Sequence, residues 1–168
     1  TKARNKEIIP VTTETELLKT FVKLFKEMNP DIIIGWNSDY FDIPYLYYRI
    51  EKVLSKKAAT SLSPLGIVKT RKSAKYKDQN TGEIKARWYK QDMYVDIVGV
   101  ESLDYMRVHK KFSFRDEPSY KLDVIGEKYT GLNKIEYEGN LDNLFEDDIH
   151  KFIQYNFRDV EILKLLDE

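Results

Sequence analysis

The sequence predicts an α/β fold, and three features of its first part carry that reading. Residues 13–28 repeat apolar side chains at helical spacing. Asp31–Gly35 is a short, continuous apolar run of the type that parallel sheets bury. A second helical pattern then opens at Ile43-Pro44. Helix, strand and helix in that order fit a layered α/β architecture better than an all-α or all-β one.

The bulk properties narrow the class. At 168 residues the chain is long enough for one domain with a buried core. Its 42% hydrophobic and 13% aromatic content exclude a disordered chain. Lys plus Arg and Asp plus Glu number 28 each, so no global field favours an anionic partner and any nucleic-acid contact needs a local patch. There is no cysteine, hence no disulfide and no thiolate metal site. No apolar run approaches the ~18 residues of a membrane span, and no signal-peptide core opens the chain. The first residue is Thr1 rather than methionine, so a fragment is expected.

The elements follow in order. Thr13 and Glu16 have the spacing of a capping box, and Leu17, Leu18, Phe21, Leu24, Phe25 and Met28 form the apolar stripe of the first helix. Asn29-Pro30 stops it. The second helix carries Leu46, Tyr47, Ile50, Val53 and Leu54, with Pro44 tolerated in its first turn. Residues 68–90 read as an inserted β-hairpin turning at Asn80-Thr81-Gly82. Met93–Met106 reads as one or two strands, and Leu122–Tyr129 as a short helix closed by Gly131. Glu136–Asp148 reads as an acidic loop. A final helix runs from about Asp147 to the end, with Ile149, Phe152, Ile153, Phe157, Val160 and Leu163 as its core stripe.

Three places carry candidate chemistry. Asp42 follows Phe41 in GWNSDYFDIPYL, where a strand end meets a helix start. Burying a charge there is costly, so Asp42 either caps the helix or faces something positive. Ligands in open α/β sheets bind at the carboxyl ends of strands. In YNFRDVEIL, Tyr155 and Asp159 lie four apart on one side of the last helix. They are either a solvated pair or a phenol that holds water beside a carboxylate-bound metal. The hairpin concentrates Lys72, Lys75, Lys77, Lys85 and Arg87 with Trp88 against only Asp78 and Glu83. That suits phosphate contact plus base stacking; a lysine-guarded sheet edge is the plainer alternative.

These segments resemble, in order, the exonuclease region of family B DNA polymerases, and most of all the replicative polymerases of T-even-type phages. Asn37, Phe41 and Asp42 match the second exonuclease motif, Asn-x-x-x-Phe-Asp. Tyr155 and Asp159 match the third, Tyr-x-x-x-Asp. SLDYMRVHKKFSF and SYKLDVIGEKY resemble the connecting strand and helix, and LNKIEYEG the stretch that places a lysine, here Lys134, near the active site. The resemblance covers nearly the whole chain, 1–168, as a single partial exonuclease domain.

The resemblance implies a ribonuclease-H-like fold, truncated at its N-terminus, and 3′→5′ proofreading of DNA with two divalent ions, Mg2+ or Mn2+. By it, Asp42 and Asp159 are metal ligands and Tyr155 orients the attacking water. Asn37 and Phe41 hold the terminal nucleotide, and Lys134 offsets phosphate charge. The hairpin would help to part primer and template. The implied partners are the single-stranded 3′ end of a primer, the remainder of the polymerase chain and, through that parent, a sliding clamp, in the cytoplasm of a host cell if the protein is phage-encoded.

One part of the pattern is missing. Residues 1–36 contain no Asp-x-Glu, the first motif of the family. Asp159-x-Glu161 lies on a helix, where the two side chains diverge by about 200°, and Asp96 is followed two residues on by Val98. The chain is therefore expected to start downstream of the first motif and, alone, to bind metal weakly and cleave DNA poorly or not at all. The alternative is a non-catalytic DNA-binding module, or a piece of a split polymerase whose site another chain completes. A stand-alone nuclease acting on RNA fits less well, because it would need its own first motif.

Overall fold

Thr13 starts the first helix as predicted, but with a different partner for Glu16. In the computed structural model, the Thr13 hydroxyl accepts from the Glu16 N–H at 3.2 Å, while the Glu16 carboxylate turns to the N–H and hydroxyl of Thr12. Helix α1 spans Glu14–Met28 and ends on Asn29, which takes a left-handed φ of 41° before Pro30. The described residues are 8–71, 75–77, 84–86, 94–113 and 116–168. They fall into two compact units, Thr1–Asp104 and Tyr105–Glu168.

In the first unit, α1 leads to β1 (Ile32–Gly35), then α2 (Asp42–Val53) and α3 (Lys56–Thr60). Strands β2 (Val68–Arg71), β3 (Lys75–Lys77), β4 (Ile84–Ala86), β5 (Tyr94–Ile97) and β6 (Glu101–Asp104) follow. β1 and β6 are parallel, with Gly35 opposite Asp104. β2 pairs antiparallel with β5, and β3 with β4. The partner of 68–71 is thus 94–97, beyond the 68–90 span expected for the hairpin, and the expected turn at 80–82 lies outside the described residues. Leu18 and Phe25 of α1, Ile43, Tyr47 and Ile50 of α2, and Val95 and Ile97 of β5 pack together as the core.

Two burial expectations fail here. Ile32 and Ile34 are 55% and 42% exposed, so β1 is not the buried strand that its composition suggests. The reason is architectural: among the described residues β1 has one neighbour and one covered face, whereas parallel sheets are ordinarily covered on both. In α1, Leu17, Leu24 and Met28 of the expected stripe are also exposed. Uncovered apolar surface of this kind favours association. We expect concentration-dependent self-association in light scattering; a clean monomer over a wide concentration range would contradict it.

The second unit is helical: α4 (Tyr105–Phe112), α5 (Leu122–Thr130), α6 (Leu141–Asp147) and α7 (Ile149–Asp167). α5 ends at Gly131 as predicted. α6 occupies the segment expected to be a loop; Asn140 and Asn143 cap each other's backbone N–H groups, an amide version of the capping box. Ile125 of α5 and Ile162 of α7 are fully buried, and Leu122 and Leu144 nearly so. Of the expected α7 stripe, Phe152, Ile153, Phe157 and Leu163 are partly buried, whereas Ile149 and Val160 are exposed and Ile162, outside the stripe, is fully buried. Gly126 makes the α5–α7 approach possible: a Cβ there would lie 2.7 Å from Ile162 Cγ2. No described helix is long and apolar enough to cross a membrane.

Candidate functional site

Each unit contributes one half of the candidate set. In the first, β1 stops at Gly35 and the chain turns tightly toward α2. Asn37 takes a left-handed φ of 62°. Asp104, buried at the end of β6, accepts the N–H of Asn37 at 2.9 Å and of Asp39 at 3.4 Å. The Ser102 hydroxyl donates to the Asp39 carboxylate at 2.7 Å. The Ile43 N–H closes the turn onto the Ser38 carbonyl at 3.0 Å.

Asp42 then opens α2 as its first residue, so it is not the cap; Phe41 holds that position without a capping side chain. Asp42 is open to solvent as a residue, yet its carboxyl is crowded by protein atoms. That desolvation raises its pKa from the ordinary aspartate value; its own backbone N–H opposes the rise and repulsion from Asp104 adds to it. Half-exposed Phe41 lines a cleft of about 310 Å³ with Tyr40, Pro44, Tyr45, Tyr48 and Arg49. Arg49 is held by the Glu14 carboxylate of α1.

The Asp42 shift has a testable consequence. A carboxylate whose pKa is raised by folding costs stability where it is ionised, and the cost vanishes as pH falls through the raised value. Asp42→Asn is therefore expected to raise the melting temperature slightly near neutral pH, on the order of a degree or two, with the gain fading in acid. A lower melting temperature at neutral pH would show that the helix dipole, which favours an anion in this first turn, outweighs desolvation.

In the second unit, the i and i+4 spacing brings Tyr155 and Asp159 to one side of α7, where Lys134 joins both. Its ammonium donates to the Tyr155 hydroxyl at 3.1 Å and to Asp159 Oδ2 at 2.9 Å. Desolvation alone would lower the Lys134 pKa, but the bonds to Asp159 and Tyr155 outweigh it and the net shift is upward. Lys134 is thus charged at neutral pH. Asp159 Oδ1 is buried and has no hydrogen-bond partner among the described residues. Tyr137 packs edge-on against Tyr155, with ring centroids 5.4 Å apart, which fixes the phenol's orientation.

Of the sequence-predicted residues, Asn37, Phe41 and Asp42 share one turn, and Lys134, Tyr155 and Asp159 share one cluster. Lys75, Lys77 and Lys85 fall on β3 and β4, while Lys72, Arg87 and Trp88 lie outside the described residues. Among the described residues, no three His, Asp or Glu side chains gather as a metal site. Asp104 and Tyr137 were not singled out from the sequence. Asp104 carried a signal, since a carboxylate ending a strand in an apolar stretch must find donors; Tyr137 carried none.

Comparison with known proteins supplies the remaining observation. Residues 1–125 match the model of the exonuclease domain of DNA polymerase family B. The chain is 35% identical over 152 residues to a DNA-directed DNA polymerase of Escherichia phage RB69, covering 90% of this chain and 16% of that protein. It is 30% identical over 160 residues to the DNA-directed DNA polymerase of Enterobacteria phage T4, covering 95% of this chain and 16% of that one. A DNA polymerase of Pyrococcus glycovorans is 32% identical over 124 residues, or 74% of this chain and 13% of its own length. The chain therefore spans about a sixth of the phage relatives, and Lys134, Tyr155 and Asp159 lie past the residues that the family model matches.

Proposed function

The chain belongs to the exonuclease-domain family of the family B DNA polymerases, and from that premise we propose that it is part of a 3′→5′ proofreading exonuclease. Its reaction is hydrolysis of the 3′-terminal phosphodiester of DNA. The observation that carries this reading is Asp159: one oxygen paired with Lys134, the other buried and unpartnered among the described residues, beside an oriented phenol. A buried anionic oxygen with no donor suits a cation, and carboxylate oxygens suit hard ions such as Mg2+ and Mn2+.

Asp42 and Asp159 would hold those ions. When bound, they would activate water and stabilise the leaving 3′ oxygen. Tyr155 accepts from Lys134 and so keeps its own O–H proton to donate to, and orient, a water molecule. Lys134, charged and close to Asp159, offsets negative charge on the scissile phosphate. Asn37 positions the terminal nucleotide, and Phe41 stacks against it at the aromatic cleft. The fold that suits these roles is ribonuclease-H-like. The basic segment around β3 and β4 holds the DNA strand through Lys72, Lys75, Lys77, Lys85, Arg87 and Trp88. The partners are single-stranded primer DNA, the rest of the polymerase chain and, through it, a sliding clamp.

Alone, the chain would be weak or inactive, because residues 1–36 contain no Asp-x-Glu to add to the two carboxylates. That observation also favours the second reading, a module that binds DNA and leaves the chemistry to another chain. Titration of Mn2+ into the 15N-labelled chain tests the metal assignment. Paramagnetic broadening is expected first around Asp42 and Asp159, and Asp42→Ala or Asp159→Ala should weaken it. Broadening confined to other surface carboxylates would sink the assignment.

A further inference from the structure

The Asn37–Asp42 turn is held by something other than its own residues. Its left-handed Asn37 is a conformation that costs non-glycine residues energy, asparagine less than most, and that persists where the surroundings hold it. Successive N–H groups about such a residue form a concavity that suits an anion. Here the anion is internal: Asp104, 3% exposed, puts one oxygen on the Asn37 N–H and the other on the Asp39 N–H. Ser102, two residues earlier on the same strand, holds the Asp39 side chain. The parallel register fixes Asp104 opposite Gly35, at the root of the turn. With both oxygens engaged by backbone donors, Asp104 is an anchor rather than a metal ligand.

We propose that Asp104 is a positioning residue: it sets the backbone from Asn37 to Asp42, and through it the placement of the Asp42 carboxylate at the start of α2. Its consequence for metal binding rests on the function proposed above; its consequence for the turn does not. The two are separable by experiment.

Amide hydrogen exchange in the 15N-labelled chain reads the turn directly. Hydrogen bonds to charged acceptors are among the strong ones, so Asp104→Ala should speed exchange at Asn37 and Asp39 at least ~10-fold. Asp104→Asn, which keeps the shape and one acceptor oxygen, should do so at one of the two. Exchange at Phe25 in α1 and Phe152 in α7 should stay unchanged in both. The Mn2+ concentration that broadens the Asp42 region should rise ~10-fold in the Asn variant while the variant stays folded, with a melting temperature lowered by only a few degrees. If Asp104→Ala does not fold, Asp104→Asn decides. Unchanged exchange at both amides, or released amides with unchanged Mn2+ response at Asp42, would overturn the proposal. If Mn2+ broadens neither candidate region in the wild type, the metal reading fails, and exchange at Asn37 and Asp39 still decides the anchoring role.

Discussion

Asp159→Ala is expected to slow 3′-nucleotide removal at least ~10³-fold in a chimera that carries this chain in place of the matching segment of the phage RB69 relative. Metal ions contribute several kcal/mol of transition-state stabilisation, and each 1.36 kcal/mol is a factor of ten in rate. Asp159 does more than supply an oxygen: it also holds Lys134, which in turn bonds Tyr155. The alanine variant leaves a half-buried ammonium bonded, among the described residues, to Tyr155. Asp159→Asn separates the two effects. Its amide oxygen still accepts from Lys134, so the fold should survive, while the charge is gone and the rate should fall as far. Quantified loss of the terminal nucleotide from labelled single-stranded DNA, with thermal melts of both variants, checks this. An Asn variant within tenfold of wild type would remove Asp159 from the metal-holding role.

The second large effect is structural. Gly35→Ala is expected to lower the melting temperature by roughly 3–10 °C, from an overpacking cost of about 1–3 kcal/mol. A Cβ at Gly35 would lie 2.5 Å from Ser38 Cβ and 2.7 Å from its hydroxyl oxygen, and Ser38 is buried. A Cβ–Cβ clash is not relieved by a change of rotamer, so the backbone of the turn has to move. That turn leads straight into Asn37, Phe41 and Asp42, so the substitution should weaken the Mn2+ response at Asp42 as well. An unchanged melting temperature by circular dichroism would mean that the turn has slack that the distances deny.

Much of this was legible in the sequence. Asn29-Pro30, Pro44 and Gly131 mark helix boundaries by backbone geometry that no distant contact overrides, and α1, α2 and α5 follow them. Tyr155 and Asp159 share a helix face by spacing alone. Burial was less legible, because periodicity names an apolar stripe and not what covers it: Leu17, Ile32, Ile34 and Val160 all belong to apolar patterns and stay exposed. α6 was missed because its cap is built from Asn140 and Asn143, and the local acidity of 136–148 reads as loop. Local rules also cannot show that Lys134 reaches residues 21 and 25 positions away, or that Asp104 braces a turn 65 to 67 positions before it. Both are tertiary facts, and only the first was suggested by family resemblance.

Digestion of 5′-labelled single-stranded DNA in Mg2+ or Mn2+ compares this chain alone with the same chain joined, in place of the matching segment, to the rest of the phage RB69 relative. Intact DNA is expected with the chain alone, and stepwise shortening from the 3′ end with the joined protein, abolished by Asp42→Ala and by Asp159→Ala. Shortening by the chain alone that both substitutions abolish would mean that its carboxylate set is already complete. No shortening by the joined protein would contradict the exonuclease reading itself.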